Sequence, residues 1–140
     1  MSLARLFQPL PAPGDIVWCH FPNRPELGSP GPKPRPGLVT AVSPTTHEVE
    51  ICYGTSKKTD KLYPGEFLLS EQDPGFSVSG LGCTTKFDLV SRVKVRFDEL
   101  WFHPAPGLDP YTPAPKLGVM HPSYFPAAKA ADDVYRRRFQ

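Results

Sequence analysis

The chain has 140 residues, with 16 Lys and Arg against 14 Asp and Glu for a net charge of +2; that is room for one domain with a real core and too little for two ordinary ones. No apolar run approaches the roughly 18 residues of a membrane span, and Pro9, Pro11 and Pro13 fall where a secretory leader needs an unbroken apolar helix, so a cytoplasmic protein is expected. Cys19, Cys52 and Cys83 are odd in number, far apart and without a C-x-x-C pair, which argues against a disulfide framework or a zinc knuckle and leaves Cys19 and Cys52 as core thiols.

Nineteen prolines disfavour long helices and favour short strands joined by loops, a mainly β chain closing into a small barrel. After an N-terminal extension over residues 1–12, alternation predicts strands over 15–21, 37–42 and 48–53, the third with Glu48 and Glu50 polar against Val49 and Ile51. Further strands are expected over 65–69 and 91–97, where Val93, Val95 and Phe97 alternate with Lys94 and Arg96. The connection over 22–36, rich in Pro and Gly, is long for a compact domain, and such loops are usually functional. Beyond Trp101 the composition changes: residues 103–115 read as a Pro-rich extended arm without a core of its own, followed by a short helix over 127–139 with Ser123 as a possible cap. The barrel is thus assigned to 13–102, and the arm and helix to 103–140.

The net charge is too small to argue for nucleic-acid binding, which depends on clustering. Clusters occur at Lys33/Arg35, Lys57/Lys58/Lys61, Lys86 and Arg92/Lys94/Arg96, with Arg136–Arg138 at the far end. Pro34 and Pro36 bracket Arg35 and restrict its backbone, so its guanidinium is aimed. Thr55 and Ser56 follow Gly54 and precede Lys57, which supplies hydroxyl donors and charge of the kind a phosphodiester oxygen accepts. Carboxylates are scattered singly apart from Asp98-Glu99 and Asp132-Asp133, and no D-x-D or H-E-x-x-H pattern occurs, so the sequence reads as a metal-free site.

In order, Gly14-Asp15-Ile16-Val17-Trp18, Arg35-Pro36-Gly37-Leu38-Val39 and Gly54-Thr55-Ser56, with Thr85 to Leu89 and Arg92 to Val95 downstream, resemble the MazF/PemK family of toxin-antitoxin ribonucleases over residues 13–102. The resemblance implies an SH3-like (PemK/MazF/CcdB-like) barrel that cleaves single-stranded RNA without cofactor by attack of the ribose 2′-hydroxyl on the neighbouring phosphorus. By motif position Arg35 and Thr55 are its catalytic pair. A guanidinium is a poor proton acceptor, so Arg35 is expected to stabilise charge on the phosphoryl oxygens while Thr55 holds the phosphate. Ser56, Lys57, Lys33 and Lys86 are expected at the substrate. Phe21 and Tyr53, with Tyr63, flank loops as base-stacking candidates, whereas Trp18 and Phe87 read as core. His20 reads as a groove-lining histidine, a general-base role being its alternative; His47, His103 and His121 are isolated beside turns or prolines. Family analogy adds a homodimer and an antitoxin whose tail fills the groove. Rival readings are a non-catalytic interaction module or phage-encoded inhibitor built on the same fold, and a CcdB-type toxin acting on a topoisomerase subunit, against which the Arg-Pro and Thr-Ser pairing speaks. Gly37 and Thr40 give a less bulky second strand than the family pattern.

Overall fold

A computed structural model describes residues 4–23, 26–106 and 114–139. Residues 107–113 of the Pro-rich arm, the start of the N-terminal extension at 1–3, and residues 24–25 of the first long loop lie outside them. Six strands form one antiparallel sheet: β1 (Asp15–Cys19), β2 (Arg35–Ser43), β3 (Glu48–Thr55), β4 (Glu66–Leu69), β5 (Thr85–Arg96) and β6 (Lys116–Val119), in the order β4-β5-β3-β2-β1-β6. The protein is mainly β, a curled half-barrel with one C-terminal helix, α1 (Phe125–Phe139). The pairing register slips at Ile16/Val17, at Val39/Ala41 and at Cys52/Tyr53, and such bulges bend a strand and add twist, curling the sheet.

Alternation along each strand splits the apolar residues between two cores. The front face carries Val17, Cys19, Val39, Val49, Ile51 and Val95, closed off by Phe7, Phe97 and Phe102. On the back face Ile16, Leu38, Cys52, Phe67, Leu69, Phe87 and Leu89 meet Tyr124, Ala128 and Ala131. Ala128 and Ala131 are three apart, one helical turn, so their small side chains bring α1 close to the sheet. Arg92 fastens it there: the guanidinium pairs with Glu50 of β3 at 3.1 Å and with Asp132 of α1, and it stacks on Tyr135 with 3.6 Å to the ring centroid. The two guanidinium partners, Arg92 and Arg136, hold the Asp132 carboxyl below the usual carboxylate range in spite of burial.

Three expectations change in detail. The second and third strands run on to include Arg35 and Thr55, because each keeps a paired neighbour on its other side: β1 up to Cys19 opposite Arg35, and β5 with Lys86 opposite Thr55. Residues 85–89 and 91–97, separate in the sequence reading, belong to one twelve-residue strand bulged between Asp88 and Arg92. The segment after the Pro-rich stretch is not free of the core: Lys116–Val119 pairs with β1, and Tyr124 is buried with its hydroxyl donating to Asp73 at 2.9 Å. A strand of four residues on a sheet edge has too little periodicity to be legible beforehand.

Candidate functional site

The site is built by register. In β2 and β3, Leu38 faces Cys52 and Gly37 faces Tyr53; continued two residues toward the strand ends, the same pairing sets Arg35 across from Thr55. Gly54 supports this independently, since a Cβ placed on it would lie 2.7 Å from the Pro36 carbonyl oxygen. Directly opposed residues in an antiparallel pair have Cβ atoms about 4.5–5.5 Å apart. On the other side of β3, Thr55 faces Lys86 of β5, while on the other side of β2, Arg35 faces Cys19 of β1. One cross-strand row therefore reads Cys19, Arg35, Thr55, Lys86. All four lie on the front face, because they share parity with Val17, Val39 and Ile51 and alternate with Leu38, Cys52 and Phe87 of the back core.

Each member of the row is held differently. The Arg35 guanidinium is half-buried and makes no hydrogen bond or ion pair among the described residues, while its backbone carbonyl accepts from the Cys19 thiol at 3.6 Å. Burial pushes the Cys19 thiol up to about 12, so it is a protonated packing group and no nucleophile. Thr55 Oγ1 accepts the backbone N–H of Lys57 at 3.1 Å. That bond fixes the rotamer and leaves the hydroxyl proton to donate outward. Lys86 has a side chain only 5% exposed and is committed to Glu66 at 3.0 Å and to the Lys61 carbonyl at 2.9 Å. It therefore acts on the row as a fixed charge from below, with the Tyr63 ring lying 5.4 Å from its ammonium and 5.2 Å from that of Lys61.

The other residues expected at the substrate divide. Ser56, Lys57 and Lys33 are exposed beside the ends of β3 and β2, within the same stretch of surface as the row. Tyr53 sits in the next row of the front face, two residues from Thr55, and its ring meets that of Phe21 at 5.2 Å between centroids. Phe21 is buried, so it backs Tyr53. His20 follows the end of β1, its backbone tied to Trp101 and Gly31 and its ring 6.0 Å from that of His103 in an edge arrangement; it stands outside the row. Trp18 is partly buried, Phe87 is fully buried in the back core, and Tyr63 is half exposed.

Sequence reasoning passed over Glu66 and Asp88. The register runs Glu66, Asp88, Tyr53, Gly37 across four strands, one row from Arg35 and Thr55. With Phe21, Leu27 and Ser91 they line a cleft of about 380 Å³. Nothing in the sequence marks these acids, because the chain brings them together only through the pairing of β4 with β5 and β5 with β3. Among the described residues no three His, Cys, Asp or Glu side chains are grouped as metal ligands, and no helix is long and apolar enough to cross a membrane.

No protein-family model matches the sequence, and no curated protein matches it. The fold, by contrast, matches solved structures. An endoribonuclease in complex with its cognate antitoxin, from a mycobacterial species, superposes with a TM-score of 0.53 over 91% of this chain and 95% of that one, at 12% sequence identity. At that identity the likeness is one of architecture: the curled half-barrel read here from strand order and register is the fold of that endoribonuclease.

Proposed function

We propose that the protein is the toxin of a toxin-antitoxin pair, an endoribonuclease that cleaves single-stranded RNA without a metal ion. What carries this reading is the row itself: a guanidinium with no hydrogen-bond or ion-pair partner among the described residues, and a hydroxyl free to donate, which the register of β2 and β3, extended two residues past Gly37 and Tyr53, sets on adjacent strands. Arg35 contacts the non-bridging oxygens and stabilises the charge that grows on them as phosphorus becomes five-coordinate. Thr55 donates to the same group and holds it in line with the 2′-oxygen of its own ribose. The 2′-oxygen then bonds to phosphorus as the bond to the 5′-oxygen breaks. The 2′-proton leaves to solvent or a base, the 5′-oxygen takes one up, and the products are a 2′,3′-cyclic phosphate and a 5′-hydroxyl.

Ser56, Lys57 and Lys33 extend the charged and hydrogen-bonding surface along the RNA backbone, and Lys86 contributes positive charge beneath it. The likeness to an endoribonuclease that was captured with an antitoxin supports the same reading of partner: an antitoxin chain laid over the front face, on a homodimeric toxin acting in the cytoplasm. The decisive chemistry is the nucleophile. An oligoribonucleotide carrying a single 2′-deoxy substitution at the cleaved position is expected to resist the enzyme entirely, while its all-ribose parent yields cyclic-phosphate and 5′-hydroxyl ends. Cleavage of the deoxy-substituted strand, or 5′-phosphate ends, would overturn the mechanism.

A further inference from the structure

The cleft beside the row has a chemistry of its own. Its walls combine the Tyr53 and Phe21 rings with Leu27, a surface on which a planar base can lie. Its polar side is made of acceptors. Glu66 has a side chain 10% exposed, and its Oε1 already accepts from the Tyr63 N–H at 2.8 Å and from Lys86 at 3.0 Å. Its Oε2 accepts nothing among the described residues and is not sealed from solvent, and Glu66 is among the residues that line the cleft. Asp88 accepts one donor on each oxygen, the Val90 N–H at 3.0 Å and the Ser91 hydroxyl at 2.8 Å, which leaves each a further lone pair. Among the described residues the one cation on the lining, Arg92, is turned to Glu50, Asp132 and Tyr135.

We infer that this cleft is a base-recognition pocket that selects guanine, with Glu66 as the specificity-determining residue and Asp88 supporting it. The free Oε2 of Glu66, with the oxygens of Asp88 across the β4–β5 pair, can between them receive the two adjacent donors of the Watson–Crick edge of guanine, N1–H and the 2-amino group. Adenine and cytosine present one amino group next to an acceptor, and uracil one N–H between two carbonyls that the carboxylates repel. The spacing suits a nucleotide whose phosphate lies on the row: Tyr53 is two residues from Thr55, about 6.6–6.8 Å along a strand. The inference rests on the reading of Arg35 and Thr55 as a phosphate site, but its test needs no catalysis.

Titration of the protein with the 3′-monophosphates of guanosine, adenosine, cytidine, uridine and inosine, by calorimetry, separates the possibilities. Guanosine is expected to bind about ten- to a hundredfold tighter than adenosine, cytidine or uridine, with inosine, which lacks the 2-amino group, in between. Glu66→Gln, which offers a donor where guanine needs an acceptor, is expected to remove the margin without weakening inorganic phosphate binding, since Lys86 then keeps its charge with one counter-ion fewer. Since Glu66 also pairs with Lys86, thermal melting of the variant checks its fold, and Asp88→Asn supplies a second variant expected to narrow the same margin. Equal affinity for all five nucleotides, no nucleotide binding, or a Glu66→Gln variant that keeps the guanosine preference would overturn the inference. Guanosine preference in a protein that leaves RNA intact would instead overturn the nuclease and keep the pocket.

Discussion

Gly54→Ala tests whether strand register sets the catalytic geometry. A Cβ at this position would meet the Phe87 ring at 2.6 Å and the Pro36 carbonyl oxygen at 2.7 Å, against 3.4 Å for ordinary contact, deficits of about 0.8 and 0.7 Å. Neither neighbour yields easily. Phe87 is fully buried against Phe67, with ring centroids 6.0 Å apart, and Pro36 is backbone in the middle of the sheet. Relief must come from β3 moving away from β2, which separates Thr55 from Arg35. Overpacking of this kind costs about 1–3 kcal/mol, which for a chain of this size lowers Tm by roughly 3–10 °C. A displacement approaching 1 Å between groups that must act together costs about a hundredfold in rate. Gly82→Ala is the matched control, because a Cβ there meets nothing within 4 Å. The assay pairs thermal melting with cleavage of a fluorogenic RNA oligonucleotide well below Tm. A Gly54→Ala protein that melts and cleaves like the Gly82→Ala control would refute the register argument.

Further predictions concern single groups. Thr55→Val keeps the shape and removes the hydroxyl, so kcat should fall about 10²–10³-fold for a stability loss of only about 0.5–1.5 kcal/mol from the Lys57 N–H bond, whereas Thr55→Ser should stay within about tenfold of the parent; single-turnover rates and urea melts measure both. Arg92→Met should destabilise by about 2–3 kcal/mol in urea, less than a fully buried pair because the Glu50 and Asp132 side chains keep 29% and 24% of their surface exposed. Burial pushes the Cys19 and Cys52 thiols up from 9.0 to about 12, and burial with the Asp73 contact pushes Tyr124 up to about 12. Raised acids bind more protons folded than unfolded, so this stability is complete below about pH 9 and declines as pH rises toward 12, by up to about 1.4 kcal/mol per pH unit for each group. Denaturant midpoints at pH 8, 9.5 and 11 should fall in that order, and less steeply in a Cys19→Ala/Cys52→Ala protein. Asp132, held low by Arg92 and Arg136, works in the opposite direction, its contribution present above the normal carboxylate range and lost on acidification.

How far the sequence could be read depended on whether a feature is local. Val49 and Ile51 alternate with Glu48 and Glu50, and that period alone places β3; Pro34 and Pro36 around Arg35 mark an aimed cation whatever lies across from it. The terminal helix was legible for the same reason, and the barrel from the nineteen prolines and the order of the motifs. What pairs with what was not. The opposition of Arg35 and Thr55 depends on an unbroken register from Leu38 and Cys52 outward, and nineteen residues of loop and strand separate the two. Lys86 looked like a free cation because its partner, Glu66, comes from another strand. Glu66 and Asp88 are ordinary acids in sequence and become one wall of a cleft only after the β5 bulge sets Asp88 beside Tyr53. Likewise Lys116–Val119 carries no strand signal of its own, and it becomes β6 because β1 offers an unpaired edge.

Arg35 decides the account most directly. Purified protein and its Arg35→Ala and Arg35→Lys variants, each shown to melt like the parent, can be compared on single-stranded RNA in excess chelator with end-group analysis of the fragments. The account predicts metal-independent cleavage to cyclic-phosphate and 5′-hydroxyl ends by the parent. It also predicts a loss of about 10²–10³-fold or more in Arg35→Ala, and little rescue by lysine, which lacks the planar fork for two phosphoryl oxygens. Cleavage by Arg35→Ala at the parental rate would contradict it.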